Sequence, residues 1–237
     1  MKKFMSFILV IVMVLSGVVI GFADAENLQI SDYDQIKYKQ AAEIMLDTGI
    51  YSGYPDGNFY PRKSVTRGEM AKIITLIANG GKDLRDESAE ACQFSDAQGH
   101  WASAYIQYCV DRGILSGKDS DTFAPNIPVS GLEAAKMLLV LLGYDAVIEG
   151  FIGTNTRSNI MRVASENSLF YFFEENNPTG TITRETAAQM ILNALNAQTV
   201  EYRYGAQVSV DHPSVTITTT VEKTGITLYE KYFITTK

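Results

Sequence analysis

The sequence predicts a mainly α-helical protein made of three helix–loop–helix repeats, with a short β-rich segment at its C-terminal end. Three observations lead there. The stretch Gly49 to Glu69 returns without a gap 64 positions later, and its second half returns again 117 positions later. Each copy is flanked by apolar stripes of helical period. After Ala197 that period gives way to strict alternation.

The first copy reads as a helix end, a tight loop and a helix start. Gly49 closes the first helix in a left-handed conformation. Asp56-Gly57 is a turn dipeptide, and Phe59 is the apolar residue of a polar loop, expected to point inward. Thr66 and Glu69 form a capping box, in which the hydroxyl accepts a free backbone N–H and the carboxylate reaches back. Met70, Ile73, Ile74 and Ile77 then follow at i, i+3, i+4, i+7. In the second copy Gly113-Ile114, Phe123, Pro125 and the box Ser130/Glu133 take the same places, with the stripe Ala134, Met137, Leu138 and Leu141. The third copy retains Ile182-Thr183-Arg184-Glu185 and Ala187, Met190, Ile191 and Ala194. The preceding helices carry Tyr38, Ala41, Ala42 and Met45; Ala102, Tyr105, Ile106 and Cys109; and Ile160, Val163 and Ala164. A single such unit cannot bury its own stripes, whereas three packed together can.

Residues 1–25 have the form of a secretory signal peptide: Lys2-Lys3, an apolar run from Phe4 to Phe22, and the small-x-small site Ala23-Asp24-Ala25. An uncleaved membrane anchor is the competing reading, because the run is nearly long enough to span. The units then occupy 26–80, 92–146 and 154–197, with 198–237 as the β-rich segment, where Val200, Tyr202 and Tyr204 alternate, as do Val215, Ile217 and Val221. Trp101, the only tryptophan, reads as a core wedge.

Phe94-Ser95-Asp96 with His100-Trp101-Ala102 and Ile106, the run GIYSGYPDGNFYP from Gly49 to Pro61, and VTRGE from Val65 to Glu69 resemble the S-layer homology (SLH) module. The resemblance covers about Ile30 to Leu195. It implies three tandem, partly degenerate SLH repeats arranged as a pseudo-threefold prism. It also implies a secreted protein held non-covalently on the cell wall or in the S-layer by an anionic secondary polysaccharide of Gram-positive peptidoglycan.

Arg67 and Arg184 are the sharpest candidates for binding that polymer, each in the first turn of a helix directly after the capping threonine. A planar guanidinium grips a carboxylate with two parallel hydrogen bonds, and a helix N-terminus favours an anion. The competing reading is an ordinary surface arginine paired with Glu69 or another acid. Gly53, Tyr54 and Asp56 are secondary candidates: by resemblance their loop lies near the groove between neighbouring units, where Tyr54 would stack on a sugar ring and Asp56 would accept from hydroxyls. The second copy has Gly131 in place of the arginine and a different loop, so at most two of three grooves are expected to bind.

The remaining chemistry is quickly bounded. A net charge of −7 with no basic stripe argues against nucleic acid. Asp119-Ser120-Asp121 lacks the ligand spacing of a calcium loop. Two histidines and no Cys-x-x-Cys argue against zinc, and no cofactor is implied. Cys92 and Cys109 are compatible with a disulfide or with two free thiols; the place of Cys109 on an apolar stripe favours the latter. There is no G-x-S-x-G and no phosphate loop. A fragment of a wall-active hydrolase and a structural S-layer subunit are the alternative readings, the second with the C-terminal strands making lattice contacts.

Overall fold

A computed structural model describes residues 30–84, 92–171, 177–208 and 215–234. The signal-peptide reading of residues 1–25 lies outside the described residues. The elements are α1 (Lys39–Asp47), α2 (Arg67–Ala78), α3 (Ser103–Asp111), α4 (Gly131–Leu142), α5 (Thr156–Glu166) and α6 (Arg184–Asn196). The strands β1 (Gln198–Val208) and β2 (Val215–Thr227) follow, and after them a helical turn, Glu230–Ile234.

The helices start where the capping residues place them. Thr66 accepts from the Glu69 N–H at 3.2 Å while Glu69 accepts from the Thr66 N–H at 2.8 Å, and Ser130 and Glu133 repeat this at 3.2 and 2.9 Å. In α6 the glutamate stands one place earlier, so Thr183 caps the Thr186 N–H instead. Glu185 is thereby released and accepts from the Lys37 N–H at the entry to α1, at 2.7 Å.

The first helix packs on the last: α1 lies against α6, α3 against α2, and α5 against α4, while α4 touches both α2 and α6. The segments before α2, α4 and α6 exchange backbone hydrogen bonds in a closed ring. Val129 donates to Val65 at 2.8 Å, Val65 to Ile182 at 3.2 Å and Ile182 to Val129 at 3.1 Å. Each helix start then donates two N–H groups to the loop of another segment: Arg67 and Gly68 to Ile127 and Pro125, Gly131 and Leu132 to Gly180 and Pro178, and Arg184 and Glu185 to Lys63 and Pro61. Donors that a helix end leaves free are thus satisfied across the ring.

Phe59 and Phe123 point inward and are fully buried, as their place in polar loops predicts. Each is followed by a residue in the left-handed region, Tyr60 (φ 56°) and Ala124 (φ 62°). Buried Asp32 holds the first of these turns, accepting from the Phe59 and Tyr60 N–H groups at 2.7 and 2.8 Å. Asp96 holds the second from Phe123 and Ala124 at 2.8 and 2.7 Å. Gly49 and Gly113 end α1 and α3 with positive φ; at the matching place after α5 Ser168 adopts φ 57° without glycine.

Trp101 departs from expectation. It is 56% exposed, because the inward positions at the start of α3 are filled by Ala102, Ile106 and Cys109, and Trp101 precedes the helix on its outer side. Cys92 and Cys109 are buried and free, and the Cys109 thiol lies 3.4 Å from the Thr75 hydroxyl.

β1 and β2 form an antiparallel ribbon, in register at Tyr202↔Val221 and Ala206↔Ile217. Its base is tied to the helices: Val200 is buried, and the Tyr202 hydroxyl accepts from the Asp145 N–H and donates to Glu149. Its outer part is open, with Tyr204 and Ile217 exposed. The final turn has a cap of its own, in which Thr227 and Glu230 exchange hydrogen bonds. That cap brings Leu228 into the core, fully buried.

Candidate ligand grooves

The loop that follows α1 and the first turn of α6 meet, and this is where the candidate residues gather. Arg184 reaches across from α6 and donates Nη2 to the Ser52 carbonyl at 2.6 Å. Its guanidinium carbon lies 4.2 Å from the ring centroid of Tyr51, 4.9 Å from Phe59 and 5.2 Å from Tyr54. The cation is thus held on aromatic faces. Its Nε is buried and has no partner among the described residues, which is costly unless a ligand supplies the acceptor.

Lys63 joins the rim. It donates to the Tyr54 hydroxyl at 2.7 Å and lies 3.5 Å from Glu69. The Tyr54 hydrogen bond, the largest influence, pushes the lysine above its usual range, with Glu69 helping. Burial pushes the Tyr51 phenol up, so it stays neutral beside Arg184. A groove of about 200 Å³ opens here, lined among others by Tyr51, Glu69, Lys72, Leu76, Trp101 and Arg184. The exposed Trp101 therefore faces the groove. Lys72, on the same side of α2 as Glu69, pairs with Asp83 at 3.0 Å, which also accepts from the Tyr105 hydroxyl.

The other residues expected here divide. Asp56 accepts from the Asn58 N–H at 3.0 Å and from the Tyr60 hydroxyl, and the Tyr60 bond holds its carboxyl low. It closes the turn. Gly53 is exposed beside Tyr54, and a Cβ there meets only Ile30, at 3.7 Å.

Arg67 is not in this groove. It projects from α2 into the loop between α3 and α4, donates Nε to Phe123 O and Nη2 to Ser116 O, both at 2.9 Å, and lies 3.4 Å from Glu133. It is 4% exposed. Arg67 and Tyr54 thus belong to different grooves, because each helix start reaches the loop of another segment. The loop after α3, which has no arginine of its own, is filled by Arg67. No arginine stands where Gly131 abuts the loop before α6: a Cβ at Gly131 would stand 2.8 Å from Pro178 O. Sequence reasoning missed Lys72 and Trp101 as groove residues; the ring connectivity that places them has no local signal.

Asp119 accepts from the Asp121 and Thr122 N–H groups at 2.9 and 2.8 Å and so serves its own turn.

Comparison with known proteins bears on this arrangement. The model of the S-layer homology domain matches residues 29–71 and 93–135. A cellulosome-anchoring protein of Acetivibrio thermocellus is 30% identical over 98 residues, 41% of this chain and 22% of that protein. A surface-layer 125 kDa protein of Lysinibacillus sphaericus is 29% identical over 181 residues, 69% of this chain and 15% of that protein. An uncharacterised cell wall amidase of Bacillus anthracis is 32% identical over 87 residues, 37% of this chain and 16% of that protein. The matches thus span less than a quarter of these relatives' own lengths.

Proposed function

The chain is an S-layer homology domain protein, and from that premise we propose that it anchors itself non-covalently to the cell wall by binding an anionic secondary polysaccharide. It is a secreted, cell-surface protein in this reading. The observation that carries it is Arg184, whose buried Nε lacks a partner among the described residues in a groove edged by Trp101, Tyr51 and Lys72. A carboxylate on a sugar would supply the missing acceptor, and Trp101 and Tyr54 would take sugar faces. The helical body is read as three SLH repeats in a pseudo-threefold prism, the third at 154–197. The closed ring of Val65, Val129 and Ile182 and the pairing of α1 with α6 support that reading. With Arg67 in the second groove and none in the third, the grooves are unequal, and at most two bind. Several weak grooves on one rigid body raise the effective concentration for a polymer that presents many acids.

Titration with polymer released from wall sacculi tests this. Saturable heat release that disappears once the polymer's carboxylates are reduced to alcohols supports the reading. Equal heat with both polymers refutes an acid-reading groove.

A structural S-layer subunit is the second reading, favoured by the open outer part of the ribbon with Tyr204 69% and Ile217 71% exposed.

A further inference from the structure

β1 and β2 form a ribbon of two strands, and no third strand joins either of them among the described residues. Beyond its base the ribbon is open on both faces. Glu201, the residues from Arg203 to Ala206 and every residue from Ile217 to Ile226 are exposed. A ribbon of two strands with neither face covered is marginal in water, whereas further strands stabilise it.

The register sorts its side chains. Tyr202, Tyr204 and Ala206 lie opposite Val221, Thr219 and Ile217 on one face, and Glu201, Arg203 and Gly205 lie opposite Glu222, Thr220 and Thr218 on the other. The charges of the second face satisfy one another: Arg203 lies 2.9 Å from Glu222 and 3.5 Å from Glu201. The free edge of β2 is of another kind. From Val215 to Val221 it reads VTITTTV, β-branched at every position, without charge, proline or glycine, and its register is unbroken. Such residues favour strand pairing. The devices that keep a sheet edge single, a lysine, a proline or a bulge, are missing from this stretch. The β1 edge is not equivalent, because Arg203 and Gly205 stand in its outer part.

Charge and pattern limit what can pair there. The chain carries a net charge of −7, so two copies associate only through a contact free of opposed like charges. β2 offers such a contact against itself. In an antiparallel pair with its axis at Thr219, Ile217 stands opposite Val221 of the second copy, Thr218 opposite Thr220, Glu222 opposite Thr216 and Lys223 opposite Val215. An axis at Thr218 would set Ile217 against Thr219, and one at Thr220 would set Ile217 against Lys223. Apolar matching therefore selects Thr219.

We infer that the free edge of β2 is a self-association surface, through which two copies of the chain join antiparallel about Thr219 into one four-stranded sheet. The inference goes beyond polymer binding and does not depend on it, since no groove residue takes part.

The experiment follows the chain from residue 26 onward by sedimentation velocity, from micromolar to millimolar concentration. A reversible equilibrium between monomer and dimer is expected. Thr219→Lys sets two ammonium groups face to face at the axis and weakens the dimer about tenfold or more. Its thermal unfolding as a monomer stays unchanged, because Thr219 is exposed. Thr218→Lys combined with Thr220→Glu sets opposite charges across the same axis and tightens the dimer, whereas Thr218→Lys combined with Thr220→Lys loosens it. This charge swap reads the register, and a contact elsewhere on the molecule would not respond to it. A monomer at every concentration overturns the inference and leaves the edge to a strand of another protein. A dimer indifferent to Thr219→Lys and to the charge swap also overturns it, and assigns the contact to another surface.

Discussion

The guanidinium of Arg184 lies 5.2 Å from the ring of Tyr54, although one opens the last helix and the other sits in the first loop. The contact exists because α6 packs against α1 and its first turn donates N–H groups to Lys63 and Pro61. The first groove is therefore assembled from both ends of the helical body.

Arg184→Ala is expected to weaken wall binding about tenfold or more, the usual cost of removing one side of a desolvated charge pair. Its stability cost is small, since it removes the Ser52 hydrogen bond together with an unpaired buried donor. Arg184→Lys does not restore binding, because an ammonium lacks the planar fork. Sedimentation with sacculi measures affinity, and thermal unfolding separates it from stability.

Arg67→Ala behaves differently. The buried Phe123 carbonyl and the carbonyl of exposed Ser116 lose their donor, so the change costs about 1–3 kcal/mol of unfolding free energy. Urea denaturation reads this out. A stable Arg67→Ala protein that merely loses polymer binding would contradict the structural role assigned here.

Much of this was legible in the sequence. The Thr66/Glu69 and Ser130/Glu133 boxes, the inward Phe59 and Phe123, and the strand-like alternation after Ala197 are local patterns, and the structure repeats them. What was not legible is non-local. Which arginine meets the Tyr54 loop has no local signal; the ring sends Arg67 forward to the next loop and brings Arg184 back. Trp101 was misplaced for a related reason: aromatic size argues for burial, but burial is decided by which side of α3 faces inward. The Thr227/Glu230 cap was overlooked because the alternating run continues up to it.

Asp32→Ala should cost about 1–3 kcal/mol, the price of leaving the buried Phe59 N–H unsatisfied and freeing the part-buried Tyr60 N–H at a left-handed turn. Tyr60, at φ 56°, is the strained partner. Adding Tyr60→Gly should recover part of the loss, since glycine adopts that conformation freely. Equal stability of the single and double variants in chemical denaturation would contradict this account.

The two cysteines give a simple chemical check. Burial, the largest influence, pushes the Cys109 thiol up to about 12, and Cys92 is 1% exposed. At pH 8 neither should react with a thiol reagent in the native protein, and both should react once it is unfolded. A mass two units lower without reductant than with it would instead reveal a disulfide.

The most direct test of polymer anchoring is a wall pull-down. The chain from residue 26 onward, with the ribbon and the buried Leu228 retained, is incubated with purified sacculi before and after acid extraction of the secondary polymer. Binding that is lost on extraction, and is weakened by Arg184→Ala on intact walls, is the predicted result. Equal retention on extracted walls would contradict it and assign the grooves to peptidoglycan itself.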